Sequence, residues 1–343
     1  MVAAQPAGAW ALTVPPRAGI RDTPNTRGIP GGALMDYDLL RDRFAGYTTI
    51  LRPDRDEADW WGGAPSIAIG PDGRTYLAVR MREAVSPRGR RGYEVRLLVG
   101  DDGVHFEPIA HLRREDVPIG GFERPALVYD AARAAFRLYL CGPWPHEGVE
   151  HWCILRLEDV RDPRDLDPST ARPVLAAPPP KNERDFGVRG YKDPFVWIEG
   201  DEYHMVVIGY GPERTYHFVS ADGDEWRQAG DGPWMDHGGW HTFFTRPACV
   251  LSLGAGWLVV YEGSHPTWYD PPYNIATGLA WTPDLRHVVD LTPDEPLLKS
   301  TTPGTYHTWR YSHWLWRDGE LWAYAEVACP DDTNEVRLFR VRM

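Results

Sequence analysis

Five stretches of the chain follow one plan, and a repeat of this kind restricts the fold more than composition or any single motif does. Each opens on polar residues, runs through a short apolar segment, turns at Gly or Asp, and returns through a second apolar segment that ends in polar residues. They are APSIAIGPDGRTYLAVR from Ala64, ERPALVYDAARAAFRLYLCG from Glu123, KDPFVWIEGDEYHMVVIGYG from Lys192, TRPACVLSLGAGWLVVYEG from Thr245 and RYSHWLWRDGELWAYAEV from Arg310. Pro65, Pro125, Pro194 and Pro247 mark four of the starts at intervals of 60, 69 and 53 residues, and Ser312 of the fifth lies 65 beyond Pro247. Each interval holds about four short strands with their loops.

Further alternating runs follow the hairpins, as in YEVRLLVGDDGVHFEPIA, YHFVSADGDEWRQA and YNIATGLAWTPDLRHVV, where pairs such as Asp102-Gly103 and Asp222-Gly223 supply turns. Four-stranded antiparallel units repeated around an axis predict an all-β chain, a single five-bladed β-propeller. A β-sandwich also gives short strands at regular spacing, but five matched hairpins favour the ring. The closing EVRLFRVRM has no partner downstream, so a strand near Tyr47 to Leu51 is expected to complete the last blade. Residues 1–40 are then an amino-terminal arm and residues 41–343 the propeller. Long helices are disfavoured by 34 Gly and 32 Pro.

If each hairpin forms the two innermost strands of a blade, the start of its first strand and the end of its second share one rim. Those positions hold Glu123, Arg124, Lys192, Asp193, Thr245, Arg246, Arg310 and Tyr311 from the starts, with Arg80, Glu83, Glu262 and Glu326 from the ends. Solvated strand ends explain any one of them, but their convergence suits a glycosidic site. There one carboxyl protonates the leaving oxygen, another carboxylate activates water or attacks carbon, and Arg side chains fork onto hydroxyls or a substrate carboxylate.

The net charge of −12 argues against nucleic acid and anionic membrane surfaces as partners. No run approaches the ~20 apolar residues of a membrane helix, and the amino terminus lacks a signal-peptide pattern, so a cytoplasmic protein is expected, of undetermined oligomeric state. Cys141, Cys153, Cys249 and Cys329 have no CxxC spacing and read as free thiols. No nucleotide loop, nucleophile elbow or His-Glu-x-x-His occurs, and no cofactor or obligatory metal is expected. The 16 Trp and 16 Tyr supply aromatic faces of the sort that stack on sugars.

These residues resemble the five-bladed glycosidase families, in particular glycoside hydrolase families 43 and 130, over roughly residues 60–340. The KDPFVW segment at Lys192 to Trp197 is similar to a blade start of family 43, which implies for Asp193 a role in orienting substrate and tuning the acid. YLAVR with Arg80, LLVGDDGVHF and GWLVVYEG resemble family 130 in kind and order. Where that family has Glu-Asp-Pro with the Asp as proton donor, this chain reads Glu123-Arg124-Pro125, and its Tyr-His-Gly is here Tyr261-Glu262-Gly263. Family 43 places an Asp-Pro in its first blade and its acid Glu at a later blade start, where this chain has Ala64-Pro65 and Thr245-Arg246-Pro247.

The expected site therefore takes Glu262 as acid, because its strand end reaches the shared rim. Asp193 is its modulator, and Asp59 of DEADWWGG or Glu123 activates water. Glu326 is a further candidate, although Glu123 with Arg124 and Glu326 with Arg310 could form purely structural ion pairs. Arg80, Arg124, Lys192, Arg246, Arg310 and Tyr311 are expected on the wall. Trp60, Trp61, Trp240 and Trp268, in Gly- or Pro-rich loops, are candidates for stacking on sugar, whereas Trp197, Trp257, Trp314, Trp316 and Trp322 alternate within strands and read as core. His241 and His313 stand at blade entrances as substrate contacts or hydrogen-bonded core residues. The function expected is an inverting glycoside hydrolase acting on an oligosaccharide or polysaccharide. A phosphorylase or transglycosidase and a catalytically silent sugar-binding propeller are the alternatives.

Overall fold

The computed structural model describes residues 37–86, 91–146, 149–178, 187–268, 274–300, 302 and 307–342. The expected arm over residues 1–36 and the middle of the loop PPPKNERDFGVRGY, residues 179–186, lie outside the described residues. A short helix, α1 (Tyr37–Arg43), spans the expected boundary at residue 40. Leu40 and Phe44 are buried with Trp309, Trp314 and Phe339, so the chain is already part of the core at that point.

All five repeats form antiparallel hairpins, the first four extended outward in chain order. The first is β2 (Trp61–Ile69) and β3 (Thr75–Arg82), extended by β4 (Gly92–Gly100) and β5 (Glu107–Arg113). The second is β6 (Ala126–Asp130), β7 (Ala135–His146), β8 (Val149–Arg156) and β9 (Arg172–Ala176). The third is β10 (Gly190–Glu199), β11 (Glu202–Tyr210), β12 (Arg214–Ser220) and β13 (Arg227–Gln228). The fourth is β14 (Phe244–Ser252), β15 (Trp257–Ser264), β16 (Ala276–Thr282) and β17 (Val289–Asp290). The fifth is β18 (Trp309–Arg317), β19 (Glu320–Ala328) and β20 (Asn334–Arg342), and its outer strand comes from the other end of the described chain: β1 (Thr48–Leu51) pairs with β20, Thr49 opposite Arg337.

The second, third and fourth sets are separate four-stranded sheets, whereas the first and fifth join as one eight-stranded sheet through a single parallel pair, Trp61 with Asn334. First strands touch in cyclic order: β2 with β6, β6 with β10, β10 with β14, β14 with β18, and β18 with β2. The core consists of the layers between neighbouring sheets. Along β3, Tyr76 and Ala78 face one layer, with Leu138 and Leu140, while Leu77, Val79 and Met81 face another, with Tyr324 and Leu338. Along β15, Val260 faces Trp314 and Phe339, and Val259 and Tyr261 face Met235 and Trp240. Alternate side chains of one strand thus enter two different layers, which is why inner strands read as continuous apolar runs. Each such buried aliphatic side chain contributes about 1.5–3 kcal/mol.

Two features of the inner strands place functional side chains. The register slips within β2, β10, β14 and β18, between Gly63 and Ser66, Lys192 and Phe195, Pro247 and Cys249, and Arg310 and His313. At three of these bulges a non-glycine residue has positive φ: Ala64 at 52°, Asp193 at 56° and Tyr311 at 51°. A bulge re-aims the side chain of a strand, and strain of this kind persists only where surrounding contacts hold it. Pro65, Pro194 and Pro247 each remove one ladder donor at the slips of β2, β10 and β14, where β18 has Ser312 instead.

Candidate active site

The strand ends converge as the repeat implies. One cleft of about 300 Å³ is lined by Arg80 from β3, Glu123 ahead of β6, Lys192 and Asp193 of β10, Arg246 of β14, and Arg310 and Tyr311 of β18. Seven of the expected residues therefore meet.

Beneath the cleft floor lie two cross-strand pairs of the same design. Arg246 faces Glu262 across β14 and β15, and Arg310 faces Glu326 across β18 and β19. Arg246 donates Nε at 3.0 Å and Nη2 at 2.5 Å to Glu262 Oε2, then turns Nη1 to Asp193 Oδ2 at 3.1 Å and Tyr311 Oη at 3.0 Å. Arg310 donates to Glu326 Oε1 at 3.0 and 2.7 Å, and Arg80 reaches Glu326 Oε2 at 3.3 Å while its Nη1 pairs with Glu123 Oε2. The Asn334 amide and the Ala64 backbone N–H also donate to Glu326. The Tyr311 ring lies under the guanidiniums of Arg80, Arg246 and Arg310, at 5.2, 4.0 and 4.9 Å. Its hydroxyl stands 3.4 Å from Asp193 Oδ1.

This lattice fixes protonation states. Burial favours the neutral form of Asp193, but Arg246, Lys192 and Arg80 outweigh it and hold the carboxyl below its ordinary value. Glu326 behaves alike: burial raises it, Arg310 and Arg80 lower it further, and the net shift is downward. Burial pushes the Tyr311 hydroxyl up, so it remains a donor at neutral pH.

Several expectations do not survive the geometry. Glu262 is 0 % exposed, closed off by Arg246 on one oxygen and the Ser312 amide on the other, so it cannot hand a proton to a ligand in the cleft. Glu326 is sealed in the same way. Arg124 is fully buried and donates to the backbone carbonyls of Pro247, Ala248 and Ser312, tying inner strands together rather than facing sugar. Asp59 is off the cleft and pairs with Arg91 at 3.5 Å, and neighbouring Trp60 packs edge-on against Tyr93.

Trp61 is buried under Arg82 and Arg310, at 3.7 and 4.8 Å. Trp240 is stacked between Tyr261 and Trp268 and donates its ring N–H to the Thr292 carbonyl, which leaves no face of Trp240 for a sugar. Trp268 puts one face to the same stack and does not line the cleft. His241 bridges Thr245 and Asp290, and His313 Nδ1 accepts the Ile67 amide. Burial, with Arg124 nearby, lowers His313 to about 3, so it is a neutral core residue.

Sequence reasoning missed Glu213 and Trp152, both on the cleft wall. Glu213 sits at positive φ in the turn between β11 and β12, where Gly211-Pro212 reads only as a connector. Its Oε1 accepts the Gly211 amide at 3.1 Å, and among the described residues no cation pairs with its carboxylate. Trp152 alternates within β8 and so reads as core, yet the Lys192 ammonium lies 4.3 Å over its ring. Among the described residues no cluster of three or more His, Cys, Asp or Glu side chains is placed to hold a metal ion. No helix among them is long and apolar enough to cross a membrane.

No family model matches the chain, and no curated protein matches it by sequence. Its fold nevertheless has clear counterparts among solved structures. A glycosyl hydrolase from Bacteroides ovatus superimposes with a TM-score of 0.61 at 14% identity, covering 86% of this chain and 93% of that one. A β-1,2-mannobiose phosphorylase from Listeria innocua gives 0.58 at 14% identity, covering 85% and 94%. A GH32 β-fructofuranosidase from Bombyx mori gives 0.59 at 13% identity, covering 90% and 67%. The protein thus shares, at low sequence identity, the propeller fold of glycoside hydrolases and glycoside phosphorylases.

Proposed function

We propose that the protein is a glycoside hydrolase that cleaves a glycosidic bond of an oligosaccharide or polysaccharide held in the Arg80–Asp193–Arg246 cleft, with inversion at the anomeric carbon. The fold behind this reading is a five-bladed propeller. The eight-stranded sheet counts as two blades because one residue pair joins its halves, and first-strand contacts run through five sets before returning to β2. Asp193 gives the reading its resemblance to family 43 at the Lys192-Asp193-Pro194 blade start.

The observation that carries the chemistry is the contrast between two carboxylates on one cleft wall. Asp193 is held ionised by the surrounding cations, Arg246 foremost, and suits the activation of water or stabilisation of positive charge at the anomeric carbon. Glu213 stands outside the ion-pair lattice and suits proton donation to the leaving oxygen. Glu123, bound to Arg80, suits holding sugar hydroxyls. Chemistry of this type divides the mutants. Glu213→Gln is expected to lower kcat on natural glycosides by roughly 10²–10⁴ and to recover on aryl glycosides whose leaving group needs no proton. Asp193→Asn is expected to be inactive on both. Equal loss of both variants on both substrates, or full activity of either on natural substrate, contradicts the assignment.

Phosphorolysis is the second reading, favoured by the cation-rich cleft and by the mannobiose phosphorylase among the structural counterparts. Stimulation of cleavage by inorganic phosphate separates it from hydrolysis. A sugar-binding propeller without turnover has its own support in the sealing of Glu262 and Glu326, and binding without product distinguishes it.

A further inference from the structure

The protein has a net charge of −12, yet the cleft runs against that balance. Six cations line it, Arg80, Arg82, Arg91, Lys192, Arg246 and Arg310, against the carboxylates of Glu123, Asp193 and Glu213. Adding the sealed carboxylates of Glu262 and Glu326, and Asp59 on Arg91, brings the anions level with the six cations, still far from the balance of the whole chain. Arg80, Arg246 and Arg310 direct their guanidiniums at these carboxylates.

Lys192 does not. Among the described residues its half-buried ammonium has no hydrogen-bond or ion-pair partner, and it is flanked by the Trp152 ring at 4.3 Å and the Tyr210 ring at 5.7 Å. Burial opposes its charge, but Glu123 and Asp193 prevail and raise its pKa, so it is an ammonium at any physiological pH. Three N–H donors that meet mainly aromatic faces are poorly satisfied, and a charged acceptor arriving with the ligand satisfies them better than a neutral hydroxyl.

Resting on the reading of the cleft as a sugar site, we infer that the sugar it accepts carries a carboxylate, as a hexuronic acid unit does, and that Lys192 beside Trp152 receives that group. The Trp152 ring under the ammonium, at 4.3 Å, supports its charge through the π face but offers no hydrogen-bond acceptor, which leaves the N–H donors to an arriving carboxylate.

Calorimetric titration of the full chain tests this with D-glucuronate, D-galacturonate, their neutral parents D-glucose and D-galactose, and inorganic phosphate. Binding is read directly, so failure here is distinguishable from failure of the glycosidase reading, which turnover decides. At least one uronate is expected to bind roughly ten- to hundredfold more tightly than its parent hexose, with an affinity that falls as salt is raised. Lys192→Met is expected to remove most of that preference and Lys192→Arg to keep part of it. If Lys192→Met does not fold, the uronate-to-hexose ratio and its salt dependence in the unmodified protein still decide. Equal affinity for acid and parent overturns the inference, as does a preference undiminished in folded Lys192→Met, or binding of phosphate but of neither uronate.

Discussion

A carboxylate locked against a guanidinium and one facing an open cleft respond differently to substitution, and Glu262 and Glu213 provide the comparison. Removing one partner of a buried ion pair leaves the other charged and unmatched, at a cost of about 3–5 kcal/mol. Glu262→Ala removes the acceptor of two Arg246 donors and leaves Asp193 alone to balance the guanidinium, so a loss toward the lower end of that range is expected in urea unfolding. Glu213→Gln should change stability by no more than about 0.5 kcal/mol, because among the described residues no cation pairs with it. An unfolding midpoint unchanged in Glu262→Ala would refute a structural role for the pair. The residue types proposed for catalysis were legible in the sequence, but their division was not. GWLVVYEG shows that the Glu262 strand end reaches the rim, and it does. What decided its role was the length of Arg246, which comes from the facing strand and folds over it. The reverse holds for Glu213, whose value depends on which way a turn points.

At the scale of elements, the bulged inner strand is the unit that builds the site, and in β2 a glycine stands directly beside the bulge. Gly63 in β2 lies where the Glu326 carboxylate crosses from β19, and a Cβ there would overlap its Oε2. Gly63→Ala therefore has to displace a buried carboxylate that holds Arg310, Arg80 and Asn334. We expect a loss of about 1–3 kcal/mol from overpacking alone and weaker ligand binding as Arg80 shifts, read by thermal unfolding and titration of the same sample. A fully stable Gly63→Ala variant would show that the lattice tolerates a gap. The hairpins were readable because both faces of each inner strand are buried and turns such as Asp222-Gly223 punctuate them. That turn also joins neighbouring sheets, since Tyr139 donates to the Gly223 carbonyl at 2.9 Å. The loop tryptophans misled for a related reason: Trp240 lies in a Gly-rich loop, but the loop folds back and stacks it on Tyr261.

Over the whole molecule, β1 pairs with β20 and so supplies the strand expected near Tyr47 to Leu51, which covers the edge of β20 that β19 leaves open. The same packing sets the response to acid. Burial is the main cause that lowers His217 and His313 to about 3 each, and it lowers His204 as well. Such groups take up protons in the unfolded chain near pH 6.5 but not in the folded one, so stability present above pH 6.5 falls as the pH drops from there toward 3. Each unit of difference is worth about 1.4 kcal/mol, and His217→Asn is expected to flatten the decline in an unfolding series from pH 7.5 to 4. A profile flat over that range in the unmodified protein would contradict neutral buried imidazoles. Hydrolytic turnover in the cleft is decided by proton NMR of a panel of neutral and acidic oligosaccharides incubated with the protein in phosphate-free buffer. Inverting hydrolysis predicts a new reducing-end signal whose first-formed anomer is opposite to that of the bond cleaved. Cleavage only after phosphate is added, or no new reducing end from any sugar that binds, would contradict it.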